Sequence, residues 1–553
     1  MTRLMKMHGA LGFAILAGVV AFGCGTAGAA DYYVSPKGDD AKAGTSAEQA
    51  FRTIAKAAGA AKAGDTVNIA PGTYVGRIRP AHSGTAEAPI VFRRQGNGEA
   101  VISTSKDTDG GEWYDRFALK IAGQAHIIID GLTFRDAEAW IYVGERSHHV
   151  TIRNCIFERC RIYHGILINN SDYNTVRGCL FKKGMPLDKL SDLLAIWRDS
   201  SHNLVEDCEF HSVGHDDVAF QGYGQMRVPS FNIVRRCTFI EPHHRALGIH
   251  DSRHTLVEQC EFVGKAGQFI QFQGPLAIIR RNVMRDYGFT KPDSDPWWNA
   301  PLLMRSHQNE YGGLAVCQRN RVYNNLFANT NAVLAIRPNL LVADNVFKNN
   351  IVCQATNLIY QEKPRFELSR HAPKHQAYTW VGNVFFGIPA DRKVVRIYRT
   401  GYPAIDANTN WTLAEARAKL AKWYVDCRTA DPQFADAGKH DFRLKAGSPC
   451  IDKGVPLTTT SAGGRGTVVP VDDPLYFCDG WKRVPGDVVV IGGNKPARIV
   501  KVDYRDRALT VDRELVWKKA DPVHLAYEGA GPDIGPYESG KVDIQIGRKQ
   551  RKE

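Results

Sequence analysis

The segment Thr151-Ile152-Arg153-Asn154-Cys155-Ile156-Phe157 opens a pattern that recurs along the chain. Its constant part is Cys-x-Phe, which occurs as Cys155-Ile156-Phe157, Cys179-Leu180-Phe181, Cys208-Glu209-Phe210, Cys237-Thr238-Phe239 and Cys260-Glu261-Phe262. Later copies carry Asn in place of Cys, as Asn325-Leu326-Phe327, Asn345-Val346-Phe347 and Asn383-Val384-Phe385, with Asn282-Val283-Met284 as a weaker copy. From Phe157 to Met284 the copies are 22 to 29 residues apart. A period of this length is typical of a solenoid.

The residues that precede the copies have the periodicity of strands. Apolar and polar side chains alternate in Thr151–Arg153, Leu204–Glu206 and Leu256–Glu258. Helix-period segments are absent from most repeats, which disfavours leucine-rich and helical repeats. The repeat therefore predicts an all-β fold, a parallel β-helix of about ten coils whose strands stack about 4.8 Å apart. The Cys and Phe of each copy share the interior face. We interpret the Cys ladder as packed thiols rather than a zinc site, because it has no Cys-x-x-Cys pair.

Both ends of the repeat region are marked. Ser46 and Gln49 form a capping-box pattern before an Ala-rich run that reaches Ala63. We predict a helix there, which plugs the N-terminal end of the solenoid. Near the C-terminus the repeat disappears and strand-like runs flank turns, which predicts a small β-barrel-like insertion. The predicted organisation is a signal segment at 1–29, the β-helix with its N-terminal cap at 30–454, the insertion at 455–527, and a closing segment with a basic tail at 528–553.

Composition and charge limit the function classes. The chain of 553 residues is 44% hydrophobic and 23% charged, a globular composition that excludes disorder and collagen-like structure. Its formal net charge of +13 suits nucleic acid, membrane headgroups or an acidic polysaccharide as a partner. Charge alone does not choose among these three.

The first 29 residues have the features of a secretory signal. Arg3 and Lys6 precede an apolar run, Ala10–Phe22, that is too short to span a bilayer. Ala27-Gly28-Ala29 fits the small-residue rule for cleavage. Cys24 offers the alternative of a lipoprotein site, although the usual Leu three residues before it is missing. We therefore expect a secreted or periplasmic protein without a transmembrane segment, a monomer that meets glycans rather than nucleic acid.

Segments near both ends resemble one protein family. They are Tyr32-Tyr33-Val34-Ser35-Pro36, Gly64-Asp65-Thr66-Val67, Pro71-Gly72-Thr73-Tyr74, Asp441-Phe442-Arg443-Leu444 and Gly531-Pro532-Asp533-Ile534-Gly535. These resemble the opening and closing segments of secreted proteins of the pectate-lyase-like superfamily. The resemblance implies a right-handed parallel β-helix. It does not select a reaction, because the superfamily includes polysaccharide lyases, glycoside hydrolases, uronate epimerases and non-catalytic adhesins.

Aligning five successive strands places polar side chains in two columns. The alignment uses the apolar anchors Ile168, Ile196, Phe220, Ile249 and Phe272. Four residues before the anchors stand His164, Asp192, Asp216, Arg245 and Gln268. One residue after them stand Asn169, Trp197, Gln221, His250 and Gln273. We predict that the first column is a catalytic line with neighbours about 4.8 Å apart, and that the second binds sugars by stacking and hydrogen bonding. The alternative is that the first column only satisfies backbone groups at turns.

Parts of these strands resemble the catalytic strands of polygalacturonases. The segments concerned are Ser191–Ile196, His215–Phe220 and His164–Ile168. The resemblance implies acid/base roles for Asp192, Asp216 and Asp217. The pattern departs from that family because the His strand comes before the Asp strands and because His215 replaces the first Asp of a pair. In addition, Glu241-Pro242-His243-His244 resembles the Asp-Pro-His motif of mannuronan epimerases.

Two cleavage reactions fit these residues. Hydrolysis would use two carboxylates as acid and base, here Asp192 with Asp216 or Asp217. β-Elimination requires a cation on the uronate carboxylate and a base for the C5 proton. Arg245 would bind the carboxylate bidentately, and the candidate bases are His215, His243 and His244. Because Asp216 is central, Asp216→Asn is expected to abolish turnover and leave folding nearly intact.

The same carboxylates are candidate calcium ligands. Asp192, Asp216 and Asp217 could supply the several carboxylate oxygens that Ca²⁺ prefers. Zinc is a further option, because seven histidines lie between His202 and His254. Those histidines are scattered over three coils without paired ligand spacing, which disfavours zinc.

Trp297 and Trp298 belong to a long segment, roughly residues 286–313, that we interpret as an insertion between coils. The two rings either pack on the solenoid or form a wall that stacks on sugars.

Together, the residues and the resemblance predict an enzyme that cleaves a uronate-containing or sulfated polysaccharide. The basic charge, Arg245 and the histidines favour β-elimination. The alternatives are a glycoside hydrolase of polygalacturonase-like type and a non-catalytic glycan-binding or adhesin-type protein.

Overall fold

The computed structural model describes most of the chain. The described residues are 28–104, 113–161, 164–182, 192–211, 214–222, 228–264, 267–288, 300–308, 314–338, 341–361, 377–398, 408–540 and 544–548. Cys24 and most of the expected signal segment lie outside these ranges, as do Trp297 and Trp298.

Three long sheets run along the solenoid, and each coil adds one strand to each sheet. The strands of the first sheet are Asp31–Val34, Thr66–Ile69, Ile90–Arg94, Ile127–Asp130, Thr151–Arg153, Thr175–Arg177, Leu204–Glu206, Ile233–Arg235, Leu256–Glu258, Ile278–Arg280, Arg321–Tyr323, Asn345–Lys348, Tyr378–Val381 and Tyr424–Val425. Those of the second sheet are Gly72–Val75, Ala100–Ser103, Thr133–Arg135, Ile156–Glu158, Leu180–Lys182, Glu209–His211, Thr238–Ile240, Glu261–Val263, Val283–Tyr287, Leu326–Thr330, Ile351–Ala355, Val384–Phe386 and Arg428–Thr429.

The third sheet carries the two predicted polar columns. Its strands are Phe117–Ala122, Ala139–Gly144, His164–Asn169, Asp192–Trp197, Asp216–Gln221, Arg245–His250, Gln268–Phe272, Leu302–Gln308, Leu334–Pro338, Ile359–Gln361, Val395–Ile397 and Thr409–Trp411. Within the described residues all of these pair in parallel except the last, which is antiparallel to its neighbour. Short additional pairs join Leu314–Ala315 to the third sheet, Cys317–Gln318 to Val342–Ala343, and Phe434–Asp436 to Asp441–Leu444. The predicted right-handed parallel β-helix is confirmed, with more coils than the ten expected.

The interior is filled by ladders that continue from coil to coil. One stack of phenylalanine rings, with centroids 4.5 to 5.3 Å apart, comprises Phe134, Phe157, Phe181, Phe210, Phe239 and Phe262. The cysteines of the Cys-x-Phe copies are buried beside these rings with free thiols. The thiol of Cys179, for example, donates to the carbonyl oxygen of Ile152 on the preceding coil. Burial raises the pKa of Cys179 well above its usual value, so its thiol stays protonated and contributes packing.

The asparagine ladder has different members from those predicted. It consists of Asn282, Asn325, Asn350 and Asn383, in which each backbone N–H donates to the next side-chain oxygen at 2.8 to 3.0 Å. The predicted member Asn345 lies in the first sheet, in a strand that pairs with Arg321–Tyr323. The assignment of Asn345 is wrong because two Asn-led hydrophobic segments, five residues apart, occur in the same coil.

The helix at the N-terminal end is shorter than predicted. It covers Ile54–Ala60, and the side chain of Thr53 caps it by accepting from the backbone N–H of Lys56. The predicted start at Ser46 is wrong, because Ser46 and Gln49 close a turn instead. The helix buries Ile54, Ala57 and Ala58 against the core of the first coils. A second helix, Leu413–Lys419, begins with a complete capping box between Thr412 and Glu415.

Residues 458–525 form a separate antiparallel sheet of six strands. The strands are Thr458–Thr459, Gly464–Pro470, Val488–Ile491, Ala497–Asp503, Ala508–Trp517 and Pro522–Leu525. This sheet shares a hydrophobic core with Leu204, Ile233 and Leu256 of the first sheet. Arg280 of the first sheet also donates to both carboxylate oxygens of Asp487, at 2.6 and 2.7 Å. The insertion is therefore fixed against the first sheet, which leaves the outer side of the third sheet uncovered by it.

In the part of the chain that the structure describes, no helix combines the length and apolar character that a membrane crossing needs.

Candidate active site

The register of the third sheet brings the first polar column together. His164 pairs with Asp192, Asp216 pairs with Arg245, and Arg245 pairs with Gln268. The strands of Asp192 and Asp216 also pair in the same register. These five side chains therefore lie on successive coils at the same edge of the sheet.

The alternation of inward and outward side chains is interrupted near the start of these strands. Trp140 and Phe269 are the second residues of their strands, and their rings contact the interior rings of Phe157 and Phe262. The third residue of each strand is also part of the core. Two inward side chains in succession break the alternation of a regular strand, which leaves the first residue on the outer face. Asp217 occupies the second position and is fully buried.

We use the term polar face for the outer surface formed by the first, fourth and sixth positions of the strands from His164–Asn169 to Gln268–Phe272, where Gln273, directly after the last strand, takes the sixth position. The line between its two polar columns contains small residues, among them Ala195, Ala219 and Gly248. A methyl group on Gly248 would lie less than 3.0 Å from Oδ2 of Asp216 and from Nε2 of His250. The glycine therefore allows these two side chains to meet across the face.

Asp216 is the centre of the polar face and is 1% exposed. Nε of Arg245 donates to its Oδ1, and Nε2 of His250 lies 3.1 Å from its Oδ2. Nδ1 of His215 and Nδ1 of His244 lie 3.6 and 3.9 Å from Oδ1. Burial raises the pKa of Asp216, but the Arg245 charge and the neighbouring imidazoles of His244 and His250 outweigh burial and hold the pKa well below its usual value. Asp216 is therefore a buried carboxylate anion.

His250 links Asp216 to the second column. Its Nδ1 lies 2.7 Å from Nε2 of Gln273 and 3.3 Å from Nε2 of Gln271. Because an amide nitrogen only donates, Nδ1 of His250 carries the lone pair and Nε2 carries the proton given to Asp216. Burial and then Arg245 lower the pKa of His250. The ring is neutral, and both of its nitrogens are engaged.

Asp192 contacts two histidine rings. Its Oδ1 accepts from Nδ1 of His215 at 3.3 Å, and its Oδ2 lies 3.5 Å from Nδ1 of His164. Nη2 of Arg245 donates to Nε2 of His215 at 2.6 Å. Both nitrogens of His215 therefore have partners inside the cluster. Burial lowers the pKa of His164.

His244 lies at the exposed side of the cluster. Its ring stacks on His215 with centroids 4.5 Å apart and planes 21° apart. Its Nδ1 faces Asp216, and 29% of its side chain is exposed. Burial lowers the pKa of His244 below the ordinary 6.5, although the nearby Asp216 carboxylate opposes this shift. The ring is therefore neutral at pH 7, and Nε2 is the nitrogen turned away from Asp216. The adjacent His243 is exposed.

Aromatic rings border the polar face on its N-terminal coils. The rings of Trp113 and Trp197 both contact His164, with centroids 5.7 and 4.5 Å away. On the preceding coil, the hydroxyl of Tyr142 accepts from the amide of Asn169 at 3.4 Å. Flat apolar rings with polar edges are suited to stacking on sugar rings.

Arginines continue the second column on the C-terminal coils. Strand Leu302–Gln308 pairs with Gln268–Phe272, so Arg305 follows Gln273 in the column, and Arg305 in turn pairs with Arg337. The sequence pattern does not reveal Arg305, because it falls within residues 286–313, which the pattern assigns to an insertion, and the strand alignment ends before Arg337. That interpretation is wrong for Leu302–Gln308. The apolar run Leu302-Leu303-Met304 before Arg305, which matches the spacing before His250, is the signal that could have identified this strand.

Most of the predicted site residues lie together on or beside the polar face. They are His164, Asp192, His215, Asp216, His243, His244, Arg245 and Gln268, with Asn169, Trp197, Gln221, His250 and Gln273 in the second column. Asp217 is the exception, because it points into the interior. Arg245 is 4% exposed, with donors on Asp216 and His215. It therefore does not offer a substrate carboxylate the bidentate contact that was predicted.

The three aspartates do not fit a calcium ion in this arrangement. Asp217 is interior, and the oxygens of Asp216 and Asp192 face nitrogen groups of the cluster. Among the described residues, the groups whose ligand atoms lie within 4.8 Å of one another are His126 with His148 and His149, and His215 with Asp216 and His244. Both sets are rich in imidazole, whereas calcium prefers carboxylate and carbonyl oxygens. No step below depends on calcium.

A cavity of about 340 Å³ lies elsewhere, beside the N-terminal helix, with Arg52, Tyr74 and Arg77 in its walls. The described residues that line it include neither a histidine nor a carboxylate. The partly exposed members of the polar face, such as Trp197, Gln221 and His244, lie on successive coils, which suits a polymer that crosses several coils.

Comparisons with protein-family models agree with the fold. Residues 32–180 match the family described as "Pel9A-like, right handed beta helix region", and residues 117–284 match that described as "Right handed beta helix region". Both descriptions name a right-handed β-helix, in agreement with the observed fold of the matched residues.

Curated relatives match over short stretches. The uncharacterized protein YwoF of Bacillus subtilis is 38% identical over 136 residues, which is 23% of this chain and 28% of that protein. Pectate lyase PEL9 of Emericella nidulans is 42% identical over 84 residues, 15% of this chain and 20% of that enzyme. The chain thus matches less than a third of the length of these relatives.

Solved structures match over longer stretches at low identity. Pectate lyase Pel9A has a TM-score of 0.42 and 15% identity, covering 93% of this chain and 98% of that one. The alginate lyase AlyGC, of family PL6, has a TM-score of 0.43 and 14% identity, covering 73% and 58%.

Proposed function

We propose that this protein is a secreted enzyme that cleaves an anionic, uronate-containing polysaccharide by β-elimination, with His244 as the base. The observation that carries the proposal is the position of His244 on the polar face. Its Nδ1 faces a buried carboxylate whose charge Arg245 balances, and its ring is partly exposed.

Exposure distinguishes His244 from the other histidines of the cluster, because 29% of its side chain is exposed against 24% for His215, 15% for His250 and 7% for His164. His250 uses Nε2 on Asp216 and Nδ1 on Gln273. His215 uses Nδ1 on Asp192 and Nε2 on Arg245. Because Nδ1 of His244 faces Asp216, we assign the proton of the neutral ring to Nδ1 and the lone pair to Nε2. Asp216 also stabilises the imidazolium that forms when Nε2 takes a proton.

The pKa values of the cluster favour elimination over hydrolysis. A hydrolase of the predicted type needs one carboxyl with a raised pKa to protonate the leaving oxygen. The pKa of Asp216 is instead well below its usual value, and Arg245 and His250 occupy its oxygens. An imidazole with a lowered pKa is, by contrast, neutral and able to accept a proton at neutral pH.

The proposed reaction is balanced as follows. The C5 proton of a uronate passes to Nε2 of His244, and the electrons of the C5–H bond form a double bond between C4 and C5. The C4–O bond breaks, and the leaving oxygen takes a proton from water. We assign the neutralisation of uronate carboxylates along the bound chain to Arg305 and Arg337, which replace Arg245 in this role. Trp197 and Trp113 at the opposite end would stack on sugar rings.

A substrate panel tests the proposal. The purified protein is incubated with pectate, alginate and glycosaminoglycans while absorbance near 235 nm is recorded, where the unsaturated uronate product absorbs. We expect that absorbance to rise with at least one polyuronate. New reducing ends without it would show hydrolysis instead. Binding to a polyuronate with neither signal would show a non-catalytic glycan-binding protein.

A further inference from the structure

A cluster of three histidines lies away from the polar face, at a turn between two coils. His148 and His149 precede the strand Thr151–Arg153, and His126 precedes the strand Ile127–Asp130 of the preceding coil. A parallel bridge between Ala125 and His148 holds the two turns side by side. The proposed reaction uses none of these rings.

The ring nitrogens converge. Each of the three side chains offers one ring nitrogen, and the three nitrogens lie within 4.8 Å of one another. Nδ1 of His148 lies 2.9 Å from Nδ1 of His149. Two nitrogens bound to one metal at right angles, each about 2.0–2.1 Å away, are themselves about 2.9 Å apart. The separation thus fits a pair of adjacent ligands on one ion.

The backbone and the neighbouring rings hold two of the imidazoles in place. His126 and His149 both have left-handed backbone, with φ of 54° and 56°. Their rings stack with centroids 4.8 Å apart, and His149 stacks in turn on Tyr173 at 5.3 Å. His148 lies edge-on to both histidine rings. His149 is exposed and His126 partly so, which leaves an ion able to enter from solvent.

Metal binding requires neutral imidazoles, and the surroundings lower the pKa of His126 and of His149. Burial and the neighbouring His148 lower the pKa of His126, although Glu87 opposes this shift. Burial and the two other histidines lower the pKa of His149, and Arg483 adds to the effect. Neutral imidazoles are preferred ligands of zinc, copper and nickel.

We propose that His126, His148 and His149 bind one late first-row divalent transition-metal ion, which joins the turns of two adjacent coils. Three imidazoles without a carboxylate select this class of ion over calcium or magnesium. The remaining coordination positions would be filled by water. The site is independent of the proposed elimination reaction.

The test uses the full-length protein without an affinity tag, titrated with Cu²⁺ and with Zn²⁺ by calorimetry. Electron paramagnetic resonance of the Cu²⁺ sample reports nitrogen ligands. The variants are His149→Asn and the matched control His440→Asn, because both positions have left-handed backbone, which Asn tolerates. We expect one tight ion in the wild type and in His440→Asn. In His149→Asn we expect a loss of affinity larger than the about 10–100-fold that removal of an outer contact costs.

A second variant covers the case in which His149→Asn does not fold because its stacking on Tyr173 is lost. His148→Asn removes a ring outside that stack and should weaken binding to the same degree. Tight binding that persists in both His148→Asn and His149→Asn would overturn the proposal. The ion would then be sought at the group formed by His215, Asp216 and His244. Loss of metal binding in His244→Asn would locate it there.

Discussion

Nε2 of His250 lies 3.1 Å from Oδ2 of Asp216, and the two side chains meet across Gly248. They belong to strands on adjacent coils and to opposite columns of the polar face. The contact therefore joins the first polar column to the second. It depends on the absence of a side chain at Gly248.

Gly248→Ala should disable the enzyme while the solenoid stays folded. The added methyl group would fall less than 3.0 Å from Asp216 and His250, which must then separate. We expect a large loss of kcat and a destabilisation of about 1–3 kcal/mol from overpacking. Thermal unfolding and the 235 nm assay measure the two effects. Ala195→Gly changes one methyl group in the same line of the face and serves as the control. Full activity in Gly248→Ala would show that the His250 contact is dispensable.

His244→Gln should remove the base. We expect the elimination rate to fall by about 10²–10⁴-fold, the usual contribution of a positioned acid/base group, with little change in stability because the side chain is partly exposed. His243→Gln, one residue earlier and exposed, is the matched control and should keep its activity. The reverse result, with His243→Gln inactive and His244→Gln active, would move the base to His243.

The acidic limb of the pH profile of kcat/KM should follow the protonation of His244. The base works only when neutral, so kcat/KM should rise with pH through the pKa of His244. Because burial lowers that pKa below 6.5, the midpoint of the limb should fall below pH 6.5. Asp216 raises the pKa of His244, so the residual activity of Asp216→Asn should have its midpoint at still lower pH. If the midpoint of the acidic limb is the same in Asp216→Asn, Asp216 does not raise the pKa of His244.

Asp216→Asn should also cost stability, in contrast to what the sequence alone suggests. The substitution leaves the 4% exposed guanidinium of Arg245 without its anionic partner. Removing one partner of a buried ion pair typically costs about 3–5 kcal/mol. Denaturant unfolding measures this loss. Restored stability in the double variant Asp216→Asn/Arg245→Gln would confirm that the uncompensated charge is the cause, and no change between the two variants would contradict it.

Arg305→Gln and Arg337→Gln should weaken substrate binding more than turnover. Each is expected to raise KM for a long polyuronate about tenfold, as the loss of one charged hydrogen bond would. The effect should shrink for short oligomers that do not reach these coils. Arg443→Gln removes an exposed arginine elsewhere and controls for net charge. Equal KM values for all three variants would show that Arg305 and Arg337 do not contribute to substrate binding. If Arg305→Gln and Arg337→Gln lower kcat alone, their role is in the chemical step.

The fold was predictable because its signal is repeated and local. Phe157 and Cys155 recur at a steady period, and each copy reports the same interior position. The first polar column was also predictable, since the apolar anchors fix its register. The ion pair of Arg245 with Asp216 was not, because it depends on two successive inward residues, such as Asp217 and the one after it, that no alternating pattern contains. Arg305 was hidden by the uneven length of one coil.

The cysteines of the described chain have a consequence for making this protein. All eleven are reduced and shielded in the native interior, so the folded molecule resists oxidants without needing any crosslink. The unfolded chain has no such shield, and it would expose a dense series of thiols to one another. If the chain unfolds under oxidising conditions, non-native disulfide bonds would form before the coils could refold, and they would trap the unfolded state. Its lifetime outside a reducing environment is therefore set by the rate of unfolding, and recovery from denaturant should depend on an added thiol reductant.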